Sequence, residues 1–237
     1  MERCDDLQLK GLKIIQDTDL FCFGTDAVLL ADFAEIKKGE SVVDLGTASG
    51  ILPLLLYGRQ EKAAYRAVEI QSELHALARK NVQLNGLDGV VDVRLGDIRN
   101  APDMFGRAND VVVCNPPYEK ADDGASRGTE SHRIARKEVL IDFAGVCAAA
   151  GRLLRQGGRF YVIHKASRMA GVMYTLKEHR LEPKTLRLVH SRVAEEPRYV
   201  LVHAVKGAKE FLRVLPPLVL YDADGGETQE MKRIYNK

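Results

Sequence analysis

The chain of 237 residues has no apolar run long enough to span a bilayer. Behind its charged start, Met1-Glu2-Arg3-Cys4-Asp5-Asp6, it also lacks an apolar h-region, so neither a membrane anchor nor a secretory signal is expected. Cysteine is scarce. Cys4, Cys22, Cys114 and Cys147 form no C-x-x-C pair, and no histidine cluster accompanies them. This argues against a disulfide framework and a zinc site; no metal is expected, and a reducing cytoplasm is the expected compartment. A surplus of one charge is missing too. Lys and Arg number 35 against 33 Asp and Glu, so any basic patch that meets nucleic acid has to be local. There is no internal repeat and no low-complexity linker. An apolar fraction of 46% supports a sizeable core. The length fits one domain over 1–237, with 1–35 as its N-terminal extension and 210–237 as a C-terminal appendage.

The pattern that is present alternates between strand and helix. Residues 41–46 read as a buried strand ending at a glycine turn, and 50–58 as a helix with Pro53 in its first turn. Residues 64–70 are the next strand. A helix capped by Ser72 follows, with Leu74, Leu77, Ala78 and Val82 on one stripe and Gly86 as its stop. Strands at 90–95 and 109–114 continue the series. A long helix is expected over about 131–155, from the spacing of Leu140, Phe143, Cys147, Ala150 and Leu154, ended by Gly157-Gly158. Then come a strand at 159–164, a helix at 167–180, and strands at 184–190 and 198–206. The loop 191–197 is too short to hold a helix, so the last two strands should form an antiparallel hairpin. The fold class is therefore α/β: a mostly parallel, seven-stranded sheet with a terminal antiparallel hairpin and helices on both faces. Upstream, a hairpin is expected between Leu9 and Phe23, and a short helix from Thr25 to Phe33 with Thr25 as its cap.

The segment after the first core strand reads Asp44-x-Gly46-x-x-x-Gly50. Gly46 lets a ligand approach the backbone, and Gly50 permits tight packing at the helix start. G-x-G-x-x-G, the pyrophosphate fingerprint, is absent, which favours a cationic cofactor without phosphate. Glu69, at the end of the second strand, can accept both hydroxyls of a ribose. Asp97, after the third, can accept an adenine amine. Asp44 can hold an ammonium, directly or through water. Three acids at the ends of three successive strands suit a cofactor that carries a sulfonium and an ammonium. Each also has a plainer reading as a helix cap.

Asn115-Pro116-Pro117-Tyr118 follows the fourth strand directly. Two prolines stop the strand and hold the chain extended. The Asn115 side chain and the Pro116 carbonyl can then accept both hydrogens of one planar NH2 group, leaving its lone pair to attack a methyl carbon in line. Tyr118 can stack on a flat substrate. A simple strand-terminating turn is the plainer reading.

Taken together, the glycine turn and this corner resemble the class I amino-methyltransferases that act on adenine N6, cytosine N4 or glutamine amides. Phe23-Gly24-Thr25-Asp26-Ala27-Val28-Leu29-Leu30 is similar to the segment before the first core strand in the tRNA adenine-N6 methyltransferases that modify the adenosine beside the anticodon of a valine tRNA. The resemblance runs from about Leu7 to Tyr221-Asp222-Ala223-Asp224-Gly225-Gly226. It implies S-adenosylmethionine as cofactor, held by Asp44, Gly46, Gly50, Glu69 and Asp97, with Thr25 and Asp26 near its methionine end. Asn115, Pro116 and Tyr118 would be catalytic. RNA, as tRNA, would be the partner, with no membrane; monomer and homodimer both fit. In the polar stretch 119–138, the first part is expected to order over substrate. His132, Arg133, Arg136 and Lys137 would meet phosphates, unless they form a merely solvated helix end. Arg152, Arg155 and Arg159 read better as favourable charge at a helix terminus. His164, His203 and Pro216-Pro217 read as structural.

Two other functions fit the same residues. A protein glutamine N5-methyltransferase would use the same corner, but such enzymes carry an extra N-terminal helical domain and only about forty residues precede Val42 here. A non-catalytic RNA-binding module on this fold would not need intact acidic positions.

Overall fold

A computed structural model describes residues 1–20, 22–117 and 142–236. The central sheet contains β3 (Ser41–Leu45), β4 (Ala64–Glu69), β5 (Val91–Leu95), β6 (Asn109–Cys114), β7 (Leu154–Lys165), β8 (Leu181–His190) and β9 (Pro197–Lys206). Their spatial order is β5-β4-β3-β6-β7-β9-β8. All pairings among β3 to β7 are parallel, and β9 runs antiparallel to both β7 and β8. Two tail strands of two residues, β10 (Arg213–Val214) and β11 (Leu218–Val219), add to the far edge of β8 and bring the sheet to nine.

Neighbouring strand residues point to opposite faces, and each face has its own apolar core. Val42, Tyr161 and Ile163 pack with α1 (Thr25–Phe33), α2 (Ile51–Arg59) and α3 (Ser72–Leu84). Val43, Phe160 and Val162 pack with α4 (Ala101–Phe105), α5 (Phe143–Leu153) and α6 (Met169–Glu178). The tail joins the first core through Leu218, Leu220 and, from α7 (Gln229–Ile234), Met231 and Ile234. Among the described residues no helix is long and apolar enough to cross a membrane.

Four expectations need correction. The N-terminal hairpin pairs β2 (Lys13–Asp17), within the span from Leu9 to Phe23, with β1 (Glu2–Asp6), which lies upstream of that span. β1 is almost wholly exposed and polar, so it shows no alternation. It is held by its partner strand and by the Met1 ammonium, which donates to Asp17 at 2.9 Å. Second, Thr25 and Ser72 are not caps. Each is the first helical residue, behind Gly24 and Gln71. The Asp26 and Glu69 carboxylates accept the nearby Ala27 and Gln71 N–H groups instead. Third, the helix expected to end at Gly157-Gly158 stops at Leu153. Leu154 already has extended dihedrals, and β7 runs through both glycines. Asp142 caps this helix, accepting the Gly145 N–H at 2.8 Å; residues 131–141 of the expected span lie outside the described residues. Fourth, Arg155 and Arg159 therefore lie in a strand. Arg155 pairs with Asp110 at 2.7 Å, and Arg159 with Glu40.

Helix α3 and its C-cap carry two asparagines that face β2. Asn81 accepts the Ile15 N–H at 2.6 Å and donates to the Ile15 carbonyl at 2.9 Å. Asn85, one turn later, does the same for Lys13. The two amides stand in for a neighbouring strand and satisfy the backbone edge of β2.

Candidate active site

The carboxyl ends of β3, β4, β5 and β6 meet where the chain leaves β3 for a helix on one face and later enters β6 on β3's other side. This is the switch point at which open α/β sheets bind ligands. Gly46 (φ +78°) turns the chain off β3 in a left-handed conformation, and its N–H and that of Thr47 both donate to the Val68 carbonyl at the end of β4. Gly50 (φ +83°) lies against α3; a Cβ there would sit 3.4 Å from Ala78. Ala48 also takes positive φ, +49°, with a Cβ to accommodate. Its N–H donates to Glu69 at 2.9 Å, which ties the strained turn to the next strand.

Asp44 is fully buried, and no group of the described residues completes a hydrogen bond to either carboxyl oxygen. Burial pushes its carboxyl up to about 7; the Thr47 hydroxyl opposes the rise and the Glu69 charge adds to it. The Thr47 and Ser49 hydroxyls of the turn that follows are likewise buried without a hydrogen-bond partner among the described residues. A buried acid and two hydroxyls without partners are costly unless a ligand completes them. Glu69 is raised by burial, and the N–H groups of Gln71, Ala48 and Ile70 counter this. Those donors fix its carboxylate, whose further lone pairs can take ribose hydroxyls. Asp97 does cap a turn: it accepts the Arg99 N–H at 2.8 Å, and the Arg99 guanidinium pairs with its second oxygen and lowers its pKa. That guanidinium is otherwise largely exposed.

The acid without a partner, the fixed carboxylate and the phosphate-free glycine turn fit the ammonium and ribose of S-adenosylmethionine. Asp44 would hold the first and Glu69 the second.

Asn115 leaves β6 half-buried, with Pro116 buried and Pro117 exposed. Its Nδ2 donates to Asp26 Oδ2 at 3.1 Å. The sequence groups Asp26 with the cofactor's methionine end, and its contact with the corner was not foreseen, because 89 residues separate the two. Thr25 opens α1 beside it. Tyr118, His132, Arg133, Arg136 and Lys137, and the stretch 119–131 expected to order over substrate, lie outside the described residues. Nearby, Cys114 is buried and donates to the Leu45 carbonyl; burial holds its thiol neutral. His164 packs edge-on against Phe143 with ring centroids 5.5 Å apart, and His203 stacks on Tyr161 at 4.7 Å.

A rim of cations borders this corner. Lys165 ends β7, Arg168 lies in the 3-10 turn Ala166–Arg168, and Arg198 stands in β9 beside Tyr199, the register partner of Lys165. Lys165 and Arg168 both lie close enough to His164 to hold its pKa below the ordinary value, a shift dominated by burial. Arg198 covers the Tyr199 ring at 5.4 Å. None of the three has an acidic partner among the described residues.

Comparison with known proteins agrees with this geometry. The family profile "Methyltransferase small domain" matches residues 13–181, more than half of the chain. The tRNA1(Val) (adenine(37)-N6)-methyltransferase of Phocaeicola vulgatus is 29% identical over 195 residues, 81% of this chain and 80% of the relative. The enzyme of the same name from Haemophilus influenzae is 24% identical over 93% of this chain and 92% of its own. Among solved structures, a "predicted O-methyltransferase" from Agrobacterium tumefaciens superposes with TM-score 0.71 at 21% identity, over 89% of this chain and 95% of the other. Geranyl diphosphate methyltransferase in complex with S-adenosylmethionine gives 0.55 at 15% identity, over 77% and 84%. At such identities the structural matches establish the class I methyltransferase fold alone. The chain belongs to the methyltransferase small domain family and is an S-adenosylmethionine-dependent methyltransferase.

Proposed function

We propose that the protein methylates the exocyclic N6 amine of an adenine in tRNA. The observation that carries the reading is the Asn115–Pro116 corner at the end of β6, set beside the β3 end that holds the buried Asp44. The relatives named above act on adenine 37 of a valine tRNA, and a tRNA substrate goes with a cytoplasmic setting. When bound, S-adenosylmethionine supplies an electrophilic methyl group. In this reading Asp44, Gly46, Gly50, Glu69, Asp97 and Thr25 shape its site. Asn115 Oδ1 and the Pro116 carbonyl accept the two amine hydrogens and hold the nitrogen lone pair in line with the methyl carbon. As the N–C bond forms and the methyl carbon's bond to the cofactor sulfur breaks with its electron pair going to sulfur, the nitrogen gains positive charge that both acceptors would stabilise, and its extra proton leaves to water. Tyr118 stacks on the base. His132, Arg133, Arg136 and Lys137 contact phosphates together with Lys165, Arg168 and Arg198.

The test is transfer from labelled cofactor to total tRNA, followed by mass spectrometry of the nucleosides. N6-methyladenosine with the native protein and none with Asn115→Ala is the expected result. Full activity in Asn115→Ala removes the mechanism, and label on a protein band instead of RNA favours glutamine as acceptor.

A further inference from the structure

An asparagine amide has two edges of nearly equal size. One accepts hydrogen bonds and the other donates them. Only the accepting edge can hold an amine hydrogen; the donating edge would set N–H against N–H. A corner that relies on Asn115 therefore needs something to choose the edge.

We propose that Asp26 is that positioning residue, and that it makes position 115 specific for asparagine. The inference rests on the reading of Asn115 as an acceptor for the amine. An ionised carboxylate has no proton to donate, so the Asn115 edge that faces Asp26 at 3.1 Å has to be the NH2 edge. Oδ1 is thereby turned to the other side. Asp26 is itself held. Its Oδ1 accepts the Ala27 N–H at 3.0 Å, in the first turn of α1, where the helix dipole favours an anion. The rest of that helix from Ala27 to Ala31 is buried in the core, so the carboxylate has a fixed base. Gly24 leaves room for this carboxylate position: a Cβ at residue 24 would lie 2.7 Å from Asp26 Oδ1 and would push the carboxylate aside.

The same contact dictates what residue 115 can be. An aspartate there would set two carboxylates against each other, and one would have to take up a proton or move away. Exchanging the two residues restores one donor and one acceptor, and it again leaves an oxygen of residue 115 to face the amine.

The experiment compares the full-length native protein with Asp26→Ala, Asp26→Asn, Asn115→Asp, Asn115→Ala and the exchange Asp26→Asn/Asn115→Asp. It reads kcat and KM on tRNA and measures S-adenosylmethionine binding by calorimetry. For Asp26→Ala, kcat should fall roughly 10–100-fold with cofactor affinity held within about threefold, as expected when a reacting group loses its orientation. Asp26→Asn should keep most activity, because its carboxamide oxygen can still accept from Asn115. Asn115→Asp should be nearly inactive, and the exchange should recover about tenfold or more over it. A regain of activity cannot come from a misfolded variant. The proposal is overturned if Asp26→Ala keeps native kcat, if its loss disappears at saturating cofactor, or if the exchange is no better than Asn115→Asp. If Asn115→Ala itself keeps full activity, the underlying reading of the corner fails. If Asn115→Ala is inactive while Asp26→Ala is native, only the role of Asp26 fails.

Discussion

Two opposing demands meet at Asp44. Burial favours the neutral acid, whereas binding an ammonium needs the carboxylate. The unfolded chain holds this group near 3.8 and the fold raises it to about 7. An acid raised by folding binds more protons in the native state, so the stability of the cofactor-free protein falls as pH rises from about 4 to 7 and stays low above that. Asp44→Asn should therefore stabilise the cofactor-free protein by roughly 2–4 kcal/mol at pH 8 and by almost nothing at pH 4. Urea titrations at the two pH values check this. Cofactor affinity should change in the opposite sense. It should rise with pH through 7 and fall about tenfold per unit well below it, because each binding event must then release one proton. The charged or polar groups facing Asp44 are Glu69, Thr47 and Cys114, and the Cys114 thiol stays neutral throughout. Calorimetric affinities that stay flat between pH 5.5 and 7.5 would show that Asp44 does not hold the ammonium.

At the scale of elements, the N-terminal hairpin and the cofactor turn are linked through one helix. Besides clamping β2, Asn81 donates to the Ser49 carbonyl in the glycine turn. Asn81→Ala would leave the Ile15 N–H and two carbonyls without partners, at roughly 2–3 kcal/mol. It should lower the urea midpoint, speed hydrogen exchange at Ile15 and weaken cofactor binding; unchanged exchange at Ile15 would refute the clamp. Nothing in the sequence announced this link, because an asparagine inside a helix has the same spacing whether it faces solvent or a strand edge. The sheet strands were legible for the opposite reason. Val42-Val43 and Val111-Val112-Val113 are buried on both faces, and such short β-branched runs leave little choice of structure. β1 and the end of α5 were not legible. β1 is polar on both faces, and the switch from Leu153 to Leu154 is between two residues of the same kind. For the site, the positions of Asp44, Glu69 and Asn115 followed from strand ends. The Asp26 contact needed the third dimension.

Over the whole molecule, charge is distributed unevenly between the two ends of the sheet. At the amino ends of the strands Arg155 pairs with Asp110, Arg159 with Glu40, and Lys206 donates to the Leu154 carbonyl. At the carboxyl ends, beside the amine-binding corner, Lys165, Arg168 and Arg198 have no acidic partner among the described residues. A net charge of only +2 conceals this polarity, since paired and unpaired cations count alike in the sum. Cations without an acidic partner can meet a polyanion without first giving up an ion pair. Replacing all three with alanine should raise KM for tRNA tenfold or more, on the order expected for losing three phosphate contacts. The kcat and the cofactor affinity should be unchanged, because among the described residues no ion pair joins any of the three to Asp44 or Glu69, and all three lie on β7, the turn after it and β9 rather than on β3, β4 or β6. The sharper signature is the salt dependence. Each lost phosphate contact lowers the slope of log affinity against log salt by about 0.7–0.9, so filter binding over a salt series should give a slope smaller by roughly two. A variant that binds weakly with the native slope would place the phosphates elsewhere and leave these cations without a part in holding RNA.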